Sequence, residues 1–349
     1  MMTGATWPTV FYNGSNSPIL QNKLVASSLT PAGWSSTGLQ ELTGSPASSF
    51  VRTTAGSDGR IGATWLRENA IGFTQSSALG WQTTTVATVT NSNDSQHAPD
   101  VAYLSGNRPV VAYSDNDSIK VAAYDNLTWT TETLNIKTGN DTGTHVTMDV
   151  DSQDRVGLAY QTGTGVYFAL RNWTQSTWSG TQVTPSSASH LSLAFGPNDQ
   201  AGIAIIDGND LSHAWFSTQL GRWVSDPLAS GIGSNRVNLA FNSQGHPALS
   251  YVSEGKVHYR INEGSGWIDA VLPIGMDAAT GLTVTPISDS EAVLAFDAND
   301  IPVIAYYGGS DPQNPQLLLA YDPPVAPEPT AALLAMFGLA GLGLRRRSA

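Results

Sequence analysis

Two interleaved ladders of residues run through this chain at one period of about 47 residues, and they limit the possible folds more than any single motif does. The clearest copy is His145–Phe168, HVTMDVDSQDRVGLAYQTGTGVYF. HLSLAFGPNDQAGIAII begins at His190, RVNLAFNSQGHPALSYV at Arg236 and EAVLAFDANDIPVIAYY at Glu291. Looser copies begin at Phe50 (FVRTTAGSDGRIGATWL) and Ala98 (APDVAYLSGNRPVVAYS). The tight turn inside each copy falls at Gly59, Asn107, Asp154, Asp199, Gly245 and Asp300, spaced 48, 47, 45, 46 and 55. The second ladder is Trp34, Trp81, Trp129, Trp178, Trp223 and Trp267, spaced 47, 48, 49, 45 and 44. Two ladders of one period, out of phase, mean repeated structural units.

Each copy reads as four short runs with period-2 alternation; in the third these are His145–Val150, Val156–Tyr160, Val166–Leu170 and Thr181–Val183, the last after Trp178. Asn, Asp or Gly stands at each turn position, where a left-handed backbone costs least. Four strands in about 47 residues suit a propeller blade, because four-stranded sheets stacked around an axis cover both of their faces. The ladder tryptophans are then expected near the start of each fourth strand, buried between blades. Charged residues are only 13% of the chain, and Gly, Ser, Thr and Asn fill the turns, as an all-β protein requires.

Seven copies can be counted. The first lacks its opening strand, and Pro8–Tyr12 sits in its second; either a divergent cap or a missing upstream segment accounts for that. The last, Glu291–Tyr321, has three strands and no Trp. The expectation is an all-β propeller over 1–322 with seven blades, two of them three-stranded at the seam; six blades is the alternative. The start MMTGATWPTVFYNG lacks the basic and apolar regions of a signal peptide.

Beyond Asp322 comes PPVAPEPTAALLAMFGLAGLGLRRRSA. Residues 323–330 form a stiff Pro-rich linker. Residues 331–349 hold an apolar stretch, Ala331–Leu344, and then Arg345, Arg346 and Arg347. As a helix the apolar stretch would span about 21 Å, short of the roughly 30 Å hydrocarbon core. Pro327, Glu328 and Pro329 followed by this stretch and the arginines resemble a PEP-CTERM sorting signal. That resemblance implies cleavage near the Pro-Glu-Pro by a membrane exosortase, transient anchoring in the inner membrane by the C-terminal helix, and delivery to the surface or matrix of an exopolysaccharide-making Gram-negative-type bacterium. The body resembles, diffusely, bacterial sialidase-like and lectin-like propeller repeats. It departs from the sialidase pattern, since no segment reads S-x-D-x-G-x-x-W.

Without the tail the body carries 13 Lys and Arg against 27 Asp and Glu, so a phosphate backbone is an unfavourable partner. With no cysteine, disulfides, thiol nucleophiles and thiolate metal sites are excluded. In a propeller the start of each inner strand faces the loop-rich end of the axis. His145, His190, Arg236 and Glu291 hold that position in consecutive copies and form the candidate ligand site. Loops carrying Asp115, Asp207 and Tyr307 reach the same end. Asp115, Asp117, Asp207 and Asp210 offer hard oxygen ligands for Ca²⁺, but neither loop has a complete calcium motif, and no cofactor is expected. No G-x-S-x-G, H-E-x-x-H or P-loop string occurs. Glu68, Glu254 and Glu291 fall at one end of the copies, but nothing pairs them for glycoside hydrolysis. The sequence therefore points to a non-enzymatic envelope propeller that binds glycan, matrix or a surface protein. A secreted sugar-active enzyme and a plain scaffold are the alternatives.

Overall fold

A computed structural model describes residues 9–13, 23–30, 33–41, 50–67, 69–78, 80–90, 98–116, 118–134, 143–172, 177–233, 236–272, 285–286, 291–309 and 316–321. The linker and the expected C-terminal helix lie outside them. The fold is an all-β propeller of six four-stranded antiparallel sheets, preceded by a three-stranded sheet. We number the sheets 1 to 7 in chain order. Sheet 1 holds Thr9–Asn13, Lys23–Thr30 and Gly33–Glu41. Sheet 2 runs from Phe50 to Thr88, sheet 3 from Asp100 to Thr133, sheet 4 from Gly143 to Thr184, sheet 5 from His190 to Ala229 and sheet 6 from Val237 to Val271. In each of these five the four strands lie in chain order.

Sheet 7 reaches four strands differently. Thr285–Pro286 pairs with Gly308 and Gly309, while Val293–Phe296 pairs with residues 302–305 of the same strand. Gln316–Tyr321 pairs along the other edge of that strand, so the two short segments are one interrupted inner strand and the sheet is three strands wide. The three-strand count expected for the terminal copies is found in sheet 1; sheet 7 takes up Thr285–Pro286 as a fourth segment, so the four-stranded blades number six, the alternative to the seven expected.

Position within the blade explains each strand's residues. The second strand is flanked by neighbouring sheets on both faces and is apolar without alternation, as in Ala201–Asp207, AGIAIID, buried up to its last residue. The fourth strand forms the outer edge and alternates, as in the Thr- and Gln-bearing Thr177–Thr184. Inner strands pack on one another in sequence around the axis, from Phe50–Ala55 through to Val293–Phe296. In sheet 4 the end at Val150 and the start at Val156 fall as expected, the other strand bounds lie one to four residues further out, and Trp178 lies inside the fourth strand instead of ahead of it.

All six expected turn positions adopt the left-handed conformation, with φ of 80° at Gly59, 57° at Asn107, 65° at Asp154, 59° at Asp199, 84° at Gly245 and 60° at Asp300. The turns also bond to each other. Asp154 Oδ1 accepts from Ser105 N–H, Asp199 Oδ1 from Ser152 N–H and Asp300 Oδ1 from Ser243 N–H. Each aspartate thus ties its blade to the one before it.

The tryptophan ladder is also present. Trp34, Trp81, Trp129, Trp178, Trp223 and Trp267 are the first or second residues of their strands and pair with the end of the preceding one. Trp129, Trp178 and Trp223 donate through Nε1 to Thr84, Glu132 and Thr181, each on the fourth strand of the previous blade. Among the ladder side chains described, the expected burial holds for Trp223 alone, which is 7% exposed. Trp81, Trp129, Trp178 and Trp267 are half-buried, because the outer strands lie at the rim where adjacent blades diverge.

Candidate functional site

Among the described residues, the axis and the gap between sheets 4 and 5 each bring side chains of functional type together.

The register places the expected mouth residues at one end, since His190 pairs with Ile206 and the hairpin between Asp207 and Asp210 follows at once. His190, Arg236 and Glu291 converge there. Arg52 Nη1 donates to Glu291 Oε2 at 2.7 Å, and Arg236 Nη1 lies 3.6 Å from the same oxygen. Arg52 Nη2 is 3.5 Å from His190 Nε2. Burial opposes ionisation of Glu291, but the charges of Arg52 and Arg236 outweigh it and hold the carboxyl below its ordinary range. His190 is pushed down to about 3 by burial and then by the Arg52 charge. Its Nδ1 accepts from Val237 N–H at 3.3 Å, which leaves no room for a second ring proton. His145 stands at a bulge with φ of 53° and adds to the field around His190.

Sequence reasoning missed Arg52 and Asp100. Their signal was a second polar column two residues further along each inner strand: Arg52, Asp100, Thr147, Ser192 and Asn238. Inner strands have one free edge, and its N–H groups need acceptors. Met148 N–H donates to Asp100, Leu193 N–H to Thr147, Leu239 N–H to Ser192 and Leu294 N–H to Asn238. The polar residues of the axis thus satisfy the backbone of the next blade and neutralise one another.

The loop residues named with the mouth are also engaged. Asp115 is 8% exposed, pairs with Lys120 at 2.5 Å and accepts from Thr90 N–H. Asp207 accepts from Ser187 Oγ at 2.9 Å. Tyr307 belongs to the strand Pro302–Gly309, and its side chain lies outside the described residues. Among the described residues no group of three or more His, Asp or Glu could hold a metal ion, and no helix is long and apolar enough to cross a membrane.

The second place is an open cleft of about 620 Å³ between sheets 4 and 5. Its aromatic lining is Phe168, Phe195, Trp215, Phe216 and Trp223, and Arg155, Asn198, Asp199, Gln200 and Gln219 supply polar groups at its edge. Phe168 meets Trp223 edge-on at 5.1 Å, and Phe216 meets it at 5.9 Å. Phe216 is 37% exposed, so its face is open to a ligand.

The cleft exists at this seam because of what it lacks. In sheet 4 the residue paired with the ladder tryptophan is Arg171, and in sheet 5 it is Phe216. At the seam between sheets 3 and 4, Arg171 donates to Glu132 through Nε and Nη2, and Trp178 donates to the same carboxylate. Glu132 corresponds to Thr181 at the next seam, where Gly180 and Thr181 leave the gap open. At the seam between sheets 5 and 6, His213 packs between Trp215 at 5.7 Å and Trp267 at 5.2 Å.

No protein-family model matches this sequence, and no curated protein matches it either. Solved structures do. A Lactobacillus plantarum protein shares 12% identity over 92% of this chain and 97% of its own, with a TM-score of 0.53. The virginiamycin B lyase of Staphylococcus aureus, solved in an inactive form with quinupristin, shares 14% over 88% of this chain and 97% of its own, at 0.53. The SapL1 lectin, solved with alpha methyl fucoside, shares 12% over 82% of this chain and 98% of its own, at 0.52. At such identities the likeness is one of fold: lectins and lyases both use propellers like this one.

Proposed function

We propose that this protein is a non-enzymatic glycan-binding propeller whose ligand lies in the cleft between sheets 4 and 5. The observation that carries this reading is the exposed Phe216 ring set beside Trp223 and bordered by Asn198, Gln200 and Gln219. A sugar needs both parts: an aromatic face for its C–H groups and amides that donate and accept for its hydroxyls. The axial residues His145, His190, Arg236 and Glu291 are read as ring closure. Against a hydrolase, Asp199 is the one carboxylate lining the cleft among the described residues, and Ser152 and Gln153 already bond it. Glycoside hydrolysis uses two carboxylates about 5–9 Å apart. A glycan-array screen of the full chain, repeated with Phe216→Ala, tests the reading.

The tail motif, Pro327–Pro329 with Arg345–Arg347, supports export and exosortase processing, with the body delivered to the cell surface or matrix. There an acidic sugar-binding body would meet neutral exopolysaccharide without strong charge repulsion.

A further inference from the structure

We propose that the cleft between sheets 4 and 5 selects a neutral sugar ring and excludes uronates, with Arg155 as its specificity-determining donor. This rests on the cleft being the glycan site. Arg155 lines the cleft, and its Nε donates to Asp151 Oδ2 at 2.5 Å. Neither Nη nitrogen of Arg155 bonds another of the described residues, and the side chain is 27% exposed. The guanidinium is therefore oriented by one edge and offers the other to a ligand.

The charge around that edge decides what it can take. Asp151 and Asp199 flank Arg155, and each carboxylate already accepts three hydrogen bonds. Asp151 accepts from Gln153 N–H, Arg155 N–H and Arg155 Nε; Asp199 accepts from Ser152 N–H, Ser152 Oγ and Gln153 Nε2. Burial opposes ionisation of Asp199, but the bonds from Ser152 and Gln153, with the charge of Arg155, together outweigh it and hold its carboxyl below the ordinary range. One cation between two carboxylates leaves a net negative charge. A ligand carboxylate would gain one guanidinium and face two anions at short range. Sugar hydroxyl and ring oxygens accept from Nη without that repulsion, while Phe216 and Trp223 take the apolar face of the ring.

The test is calorimetry of the full chain against methyl glycosides of neutral hexoses and deoxyhexoses and against methyl glucuronoside. Neutral glycosides should bind and the glucuronoside should not. Arg155→Lys, which can still pair with Asp151, should weaken the neutral ligand by about tenfold or more, the usual loss for a hydrogen bond to a charged donor. Asp199→Asn should let the glucuronoside bind. The fold tolerates that change, because Asn107 holds the equivalent left-handed turn position. Glucuronoside binding as tight as neutral binding in the unaltered chain would overturn the proposal. So would unchanged affinity in Arg155→Lys while Phe216→Ala abolishes binding, although the cleft would then stand as the site. Binding of no glycoside at all would overturn the cleft reading and this proposal together.

Discussion

Arg52 and Glu291, 239 residues apart in the chain, meet on the propeller axis with Nη1 and Oε2 2.7 Å apart. The contact ties sheet 2 directly to the segment entering sheet 7. Sheet 1 has three strands and sheet 7 draws all of its segments from Thr285–Tyr321, so neither end of the chain completes the other's sheet among the described residues. The axial ion pair instead links sheet 2 to the segment that leads into sheet 7.

Arg52→Ala should therefore destabilise the protein by about 3 kcal/mol, the scale for stranding one partner of a largely buried pair. Both side chains are about a fifth exposed, which limits the loss. Urea titration at pH 7 measures it. A change below about 0.5 kcal/mol would mean that the pair does not hold the ring.

Acid should loosen the same axis in two steps. His190 titrates near 3 in the folded protein and near 6.5 unfolded, so the unfolded chain binds the extra proton first and stability falls as pH drops below 6.5. Glu291 has a folded pKa below its ordinary 4.5; its contribution is complete above that value and is lost as pH falls through the folded pKa.

His213 provides a separable probe of acid sensitivity. Burial lowers it to about 4, so it also costs stability between pH 6.5 and 4. The equivalent seam positions, each meeting a ladder tryptophan, are Phe73 and Phe168. His213→Phe should keep the fold and remove about 2–3 kcal/mol of the loss between pH 7 and pH 4. Denaturation curves with the same acid slope as the parent chain would contradict this.

At the turn, Asp154→Ala should cost about 1 kcal/mol more than Asp154→Gly. Both lose the bond from Ser105 N–H, but only alanine also resists a φ of 65°. Equal midpoints in thermal melts would show that backbone strain is absent there.

For the tail, mass spectrometry of the mature protein from its own host should show loss of the residues after Pro327–Pro329. A surface-located protein that retains Arg345–Arg347 would contradict the sorting reading.

The repeat made most of the fold legible. Gly59, Asn107, Asp154, Asp199, Gly245 and Asp300 could be read as left-handed because only Gly, Asn and Asp occur at that position. The convergence of His190, Arg236 and Glu291 could be read because equivalent positions in a ring must meet on its axis. Arg52 was not legible as an axial residue because it stands two residues beyond the start of its copy at Phe50, and only its long side chain carries it to Glu291. The cleft was not legible. It depends on Thr181 and Gly180 facing Phe216 across a seam, where the neighbouring seam has Glu132 and Arg171. Such a difference in side-chain volume at a contact acquires meaning only once the two strands are placed side by side.

The most direct measurement is a glycan array probed in parallel with the full chain and its Phe216→Ala variant, with thermal melts of both. The account expects the parent to bind one or more neutral glycans and the variant to lose at least about tenfold in affinity. Their melting temperatures should stay close, because Phe216 is already 37% exposed. Equal binding by parent and variant, or no glycan bound by the parent, would contradict it.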